Sequence, residues 1–322
     1  MKKTERTLNE LIVEKMVSLQ SENRVGTSYN YRTLKNYIEK NYGIVKMKDV
    51  NPKWAAGLHK MMKAEGKSAA TIKNYFALLQ SITNYGAYIG CTVGDTKLTR
   101  SKSYELNKVK IEKPKTRRNK WLSREDMGRL WDYWVALPNR TKGEKRWIGL
   151  FLASYLCNGC NMADLVRLRY DDEYYMSEKK LLGFYRKKVE RTSGAYARIP
   201  IIERLKLVID TIGDEEEYGG LVFGSYLDGT DPDDSVEMAK QVMYLNSYCS
   251  KVLKNVCKKL GIRDDVSFGF ARHSYCTNLN QCGVNYAIIE RNMCHSLGIT
   301  DNYLGDVSLD ALFDANSHLF VA

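Results

Sequence analysis

The 322-residue sequence contains no run of about 18 consecutive apolar residues, so no membrane-spanning helix is expected. The opening Met1-Lys2-Lys3-Thr4-Glu5-Arg6 lacks the apolar core of a secretory signal. The eight cysteines are scattered, which in a chain this long does not suggest a disulfide framework; a reduced, cytoplasmic protein is the expectation. Only Cys157-Asn158-Gly159-Cys160 has CxxC spacing. It lacks a second Cys/His pair at metal distance and the strand–helix setting of a redox motif, so both thiols read as small apolar fillers. No group of Asp, Glu, His or Cys has metal-ligand spacing, and neither metal nor other cofactor is expected. Internal repeats and low-complexity tracts are lacking too.

Acidic residues are in deficit. Lys and Arg outnumber Asp and Glu by 50 to 38, leaving a net charge of +12 that favours a polyanionic partner such as nucleic acid. Ribosomal or membrane-surface contacts would produce the same imbalance. The chain is 44% hydrophobic, enough for real cores, and its length suits about two domains.

Residues 7 to about 92 read as helices. Leu8, Leu11, Ile12, Met16 and Leu19 fall at helical spacing, and Thr27 to Tyr42 forms a second segment. Asn51-Pro52 starts a third, with proline in the first turn. Ser68 caps a fourth that runs to Ile89, where Gly90 ends it. From Arg100 to Lys120 nine basic residues face Glu105 and Glu112, a local charge of +7. This segment reads either as a solvated tether or, with Lys113, Lys115, Arg117 and Arg118, as a strap along a phosphate backbone; the second is favoured. Boundaries follow at 1–98, 99–120 and 121–322.

Ser123 caps the next helix, at about 124–137, and another covers 144–157. Leu182, Phe184 and Tyr185, then Tyr196, Ile199 and Ile201, flank Thr192-Ser193-Gly194 and predict a β-hairpin over 181–201. Acidic stretches at 214–217 and 231–234 read as solvated loops. Helical pattern resumes at about 240–260, 271–282 and 284–294.

Three stretches near and after the hairpin carry chemistry. Phe151-Leu152-Ala153-Ser154-Tyr155 precedes Asn161-Met162-Ala163-Asp164-Leu165; Phe270-Ala271-Arg272-His273-Ser274-Tyr275 follows; Met293-Cys294-His295 leads to Tyr303-Leu304, then Leu309 and Asp314-Ala315-Asn316-Ser317. Tyrosine is a poor nucleophile at neutral pH, with an ordinary pKa of about 10. It becomes useful against a phosphodiester only where cationic donors hold the phosphate, a task suited to the bidentate fork of arginine. In their order and spacing these stretches resemble the tyrosine recombinase (phage integrase) family, conjugative-transposon-type integrases in particular, over nearly the whole chain. The resemblance implies a mainly α, two-domain fold: a helical, DNA-binding core-binding domain, then a mostly helical catalytic domain with a small antiparallel sheet.

It also implies a mechanism. Tyr303 attacks the scissile phosphate to form a 3′-phosphotyrosyl link, Arg272 clamps the phosphate, His295 hydrogen-bonds to it, and Lys188 protonates the leaving 5′ oxygen. His273 is an auxiliary candidate. Double-stranded DNA is the implied partner, with a tetramer on two sites and room for accessory DNA-bending proteins.

The sequence departs from that pattern at three points. Asn stands where the first-box arginine belongs, whether the box is aligned through Asn158 or Asn161. Arg186, on the same strand face as Lys188, is the candidate replacement. Gly269 occupies the place of a histidine three residues before Arg272. Cys294 replaces the glycine before the late histidine, and the spacing to Tyr303 is about one residue short. Asp164 reads as an orienting carboxylate or a helix-surface acid, since no partner carboxylates converge on it to hold a metal. The leading expectation is a site-specific DNA integrase or recombinase. The alternative is a DNA-binding protein of the same fold with lost or weakened cleavage. A related topoisomerase, or a helical adaptor without nucleic acid, fits the N-terminal helices and basic segment less well.

Overall fold

The computed structural model describes residues 5–91, 112, 119–138, 143–171, 180–186, 196–295 and 305–321. The chain divides into two compact units, Met1–Arg118 and Asn119–Ala322. Among the described residues there are twelve α-helices and one two-stranded antiparallel sheet. No helix among them is long and apolar enough to cross a membrane.

The first unit is helical: α1 Leu8–Ser21, α2 Val25–Tyr42, α3 Pro52–Ala64 and α4 Ala69–Tyr88. Side-chain caps fix the starts of three of them. The Thr7 side chain accepts from Glu10 N while Glu10 returns a carboxylate to Thr7 N at 2.9 Å. Asn51 accepts from Trp54 N at 3.0 Å, with Pro52 at the first helical position, and Ser68 accepts from Thr71 N at 3.1 Å. Leu8, Leu11, Ile12 and Leu19 are buried against Leu34, Ile38, Met47, Leu58, Met62 and Leu79. Met16 lies at the edge of this core.

The second unit is built around α6, Glu144–Leu156, buried from Ile148 to its end. It follows α5, Arg124–Ala136, which Ser123 caps through Asp126 N at 3.1 Å. Then come α7 Met162–Leu165, β1 Leu181–Tyr185, β2 Tyr196–Pro200, α8 Glu203–Ile212, α9 Ser235–Lys259, α10 Phe270–Gln281, α11 Tyr286–Asn292 and α12 Leu309–Ser317. The strands pair Leu181 with Pro200 through Tyr185 with Tyr196. Thr192-Ser193-Gly194 lies outside the described residues.

Two details differ from the sequence expectation. Leu205, Val208, Ile209 and Ile212 make a helix directly after the hairpin, since their spacing presents one apolar face to the core. The stretch 231–234 is not simply a solvated loop. Asp234 accepts from Val236 N and Glu237 N and caps α9, which starts five residues before the expected position. All eight cysteines are free, six of them buried, including Cys157 and Cys160.

Candidate active site

A buried amide–hydroxyl network holds the ends of four helices together. Tyr275 on α10 donates to Asn316 Oδ1 of α12 at 2.9 Å and accepts from Asn292 Nδ2 of α11 at 2.9 Å. Asn316 Nδ2 in turn reaches Asn158 Oδ1 at 2.9 Å, and Asn158 Nδ2 reaches the Arg198 carbonyl at 2.9 Å. Asn278 Nδ2 donates to Tyr155 Oη at 2.8 Å, and Tyr155 donates to the Leu319 carbonyl at 2.5 Å. Tyr275, only three residues past Arg272, is fully buried, and burial pushes its pKa up. Its hydroxyl is committed to this network. Asn158 is likewise committed to this network.

The turn after α6 then delivers Arg272. Gly159 has φ +65°, and a Cβ there would sit 2.8 Å from Arg272 Cα, so only glycine lets the turn lie against α10. Its carbonyl accepts from Arg272 Nη1 at 3.1 Å. Arg272 Nη2 donates to the Met293 carbonyl at 2.7 Å and lies 2.8 Å from His295 Nε2. Arg186 Nη1 donates to the same Met293 carbonyl at 3.2 Å. Two guanidinium groups therefore converge on one oxygen. Burial, and then the charge of Arg186, hold the Arg272 pKa below its ordinary value.

Arg186 reaches this place by strand alternation. It continues the side of β1 that carries Leu182 and Phe184, whereas Tyr185 is exposed. Only 6% of Arg186 is accessible, and Asp164 lies 3.7 Å from its Nε and is itself buried. Asp164 is thus an orienting carboxylate and not a helix-surface acid. Asn161 stands at the start of α7 without a side-chain cap bond.

His295 is carried back over α11 by the way that helix ends. Cys294 takes a left-handed conformation, φ +53°; its N–H bonds the Arg291 carbonyl at 2.9 Å, and the His295 N–H bonds the Glu290 carbonyl at 2.8 Å. This is the helix stop that usually falls to glycine. It places His295 Nδ1 3.0 Å from Glu290 Oε2, an approach that sequence spacing does not suggest. Burial and then Arg272 hold the His295 pKa below the usual histidine value, against an upward pull from Glu290. Beyond the site, Arg291 holds the Gly305 carbonyl and Arg198 Nη2 holds the Val307 carbonyl at 2.7 Å. His273 is exposed, with its pKa lowered by partial burial, Lys120 and Arg272.

The structure therefore brings Arg272, Arg186 and His295 together; His273 follows Arg272 on α10 but makes no hydrogen bond to the group among the described residues. Tyr303 and Lys188, and the basic candidates Lys113, Lys115, Arg117 and Arg118, lie outside the described residues. Among the described residues no group of three or more His, Cys, Asp or Glu could hold a metal ion.

Residues 7–96 match the family model of the phage integrase SAM-like domain. The fold is similar to that of the Tn1549 transposon integrase, solved in complex with transposon right end DNA, at 14% identity and a TM-score of 0.58, covering 96% of this chain and 98% of that one. It is similar to a lambda integrase dimer bound to a COC′ core site, at 14% identity and a TM-score of 0.56, covering 94% and 100%. A lambda integrase tetramer bound to a Holliday junction gives 14% identity and a TM-score of 0.59, covering 94% and 81%. No curated protein matches by sequence. The chain has the fold of these integrases, with the phage integrase SAM-like domain matched at residues 7–96 of its first unit.

Proposed function

We propose that this protein is a site-specific DNA strand transferase that cuts and rejoins DNA through a 3′-phosphotyrosyl intermediate. The observation that carries this is the convergence of Arg272 and Arg186 on one carbonyl oxygen beside His295. A buried and a half-buried donor from two elements, fixed before substrate arrives, suit the charge that develops on a phosphoryl oxygen. Arg186 then fills the role left open by Asn158 and Asn161. Tyr303 is the nucleophile, two residues before the Gly305 that Arg291 holds. Its oxygen bonds to phosphorus, the bond to the 5′ oxygen breaks, and Lys188 gives that oxygen a proton. Because the new ester keeps the phosphodiester energy, a second 5′ hydroxyl can reverse the step without metal or nucleotide.

The partner is double-stranded DNA, consistent with the +12 charge and with the DNA-bound state of the structures it resembles; a tetramer on two sites follows from the same reading. The basic segment around Lys113, Lys115, Arg117 and Arg118 contacts phosphates. A second reading, DNA binding without cleavage, is favoured by one observation: the Asn158 side chain is used up in the amide network.

A suicide substrate carrying the cognate ends separates the two. Wild type should form a covalent protein–DNA adduct and Tyr303→Phe none, with DNA binding nearly unchanged. Arg186→Ala should cleave roughly 10²–10³-fold more slowly, as for loss of one transition-state donor, and Arg186→Lys should rescue poorly. Lys187→Ala is the control. Absence of adduct from wild type gives the lead to the DNA-binding reading.

A further inference from the structure

The His295 ring stands between two partners that each specify where its proton is. Nδ1 faces a Glu290 oxygen at 3.0 Å, and an ionised carboxylate only accepts. Nε2 faces Arg272 Nη2 at 2.8 Å, and a guanidinium only donates. Both contacts demand the same neutral tautomer, with hydrogen on Nδ1 and a lone pair on Nε2. The Glu290 side chain is only 12% exposed, against 40% for His295, so the carboxylate is embedded while the ring remains reachable. Other ionisable groups face the pair: Arg272 and Cys276 from α10, Arg186 from the end of β1, and Tyr286, whose hydroxyl bonds Glu290. A ring in this state accepts a proton and cannot donate one from Nε2.

We propose that Glu290 is a positioning residue that holds His295 as a proton acceptor, so that the Glu290–His295 pair is the general base of strand cleavage. This rests on the strand-transfer reading above. The proton balance is complete: the incoming phosphate draws the Arg272 Nη2 hydrogen off His295 Nε2 and frees its lone pair; as the nucleophilic oxygen bonds to phosphorus its hydrogen passes to that lone pair, the bond from phosphorus to the 5′ oxygen breaks, and the leaving 5′ oxygen takes a different proton, from Lys188. The resulting imidazolium faces the Glu290 carboxylate at Nδ1, which stabilises it. Its new Nε2–H can then donate to a phosphate oxygen, so one ring serves first as base and then as donor. Gly269, with no side chain, offers no alternative base at its position.

Two measurements on the full-length protein test the proposal. Long-range proton–nitrogen NMR of the four histidines, with His295 assigned by the signal missing from His295→Gln, reads the tautomer directly. The expected result is hydrogen on Nδ1 at neutral pH; hydrogen on Nε2 overturns the proposal, whatever the activity. Single-turnover cleavage by Glu290→Gln should fall about 10²-fold, the lower end of what a positioned acid or base contributes, with DNA affinity unchanged. The carboxylate raises the His295 pKa, so the acid limb of the rate profile should move to lower pH in Glu290→Gln. A merely structural role would not move that limb. A Glu290→Gln protein with wild-type rate and wild-type limb refutes the pair as base. Wild type that forms no adduct refutes the strand-transfer reading instead, and the NMR result still decides whether Glu290 sets the ring's proton.

Discussion

Replacing Gly159 by alanine should damage both stability and chemistry, for one geometric reason. The residue sits at φ +65°, and the added Cβ would lie 2.8 Å from Arg272 Cα, 3.2 Å from its Cγ and 3.3 Å from its Cβ. Holding an L-residue in the left-handed region costs about 1–2 kcal/mol. The backbone clash cannot be relieved by a rotamer change, so α10 or the turn must retreat by roughly 1 Å to reach ordinary van der Waals separation, an overpacking cost of about 1–3 kcal/mol. Together these amount to about 2–5 kcal/mol, which lowers the melting temperature by on the order of 10 °C for a unit of this size. Retreat also carries the Arg272 fork away from its acceptor, and a displacement near 1 Å costs roughly 10²-fold in rate. Urea unfolding gives the first quantity and single-turnover cleavage the second. A Gly159→Ala protein with wild-type midpoint and rate would show that the turn does not press on α10 as described.

Cys294→Gly should be tolerated, within about 1 kcal/mol, because it suits the left-handed cap, whereas Cys294→Val should destabilise by about 2 kcal/mol and slow cleavage; chemical denaturation ranks the two. Asn316→Ala takes from Tyr275 its acceptor at 2.9 Å and from Asn158 Oδ1 its donor at 2.9 Å, thinning the buried network, and should cost about 1–3 kcal/mol in the same assay. Replacing Lys113, Lys115, Arg117 and Arg118 together by Ala should flatten the log–log salt dependence of DNA binding by about 0.9 for each phosphate that is no longer neutralised. An unchanged slope would make that segment a tether.

Local signals carry much of the architecture. Ser68, Ser123 and Pro52 mark helix starts by chemistry that acts within one turn, and the structure uses each as expected. The strands of the hairpin are legible from Leu182, Phe184, Tyr196 and Ile199. Helix α8 is hard to see in the sequence because its apolar period begins at once after β2, with no turn residue between. The site is less legible because it is assembled by tertiary contacts. Asn158 stands in the first box, yet nothing local shows that it is bound to Tyr275 and Asn316. The Glu290–His295 pairing depends on a left-handed helix stop at a cysteine, where the usual glycine signal is missing. Arg186 is accessible to strand alternation, but its approach to Met293 requires the folded chain.

The shared Met293 carbonyl has a thermodynamic consequence. Two like charges are held side by side on one neutral dipole, with the buried Asp164, 3.7 Å from Arg186 Nε, offsetting part of their repulsion; burial first, and then that repulsion, lower the Arg272 pKa. That repulsion opposes folding of the free protein and is relieved when an anion enters. By linkage, any ligand that binds only the folded site adds stability as the logarithm of one plus the ratio of its free concentration to its dissociation constant, about 2.7 kcal/mol at a hundred times that constant. The protein's melting point therefore reports occupancy of the arginine pair. A cleavage-dead variant that keeps both arginines should still be stiffened by DNA, and one that lacks either should respond less.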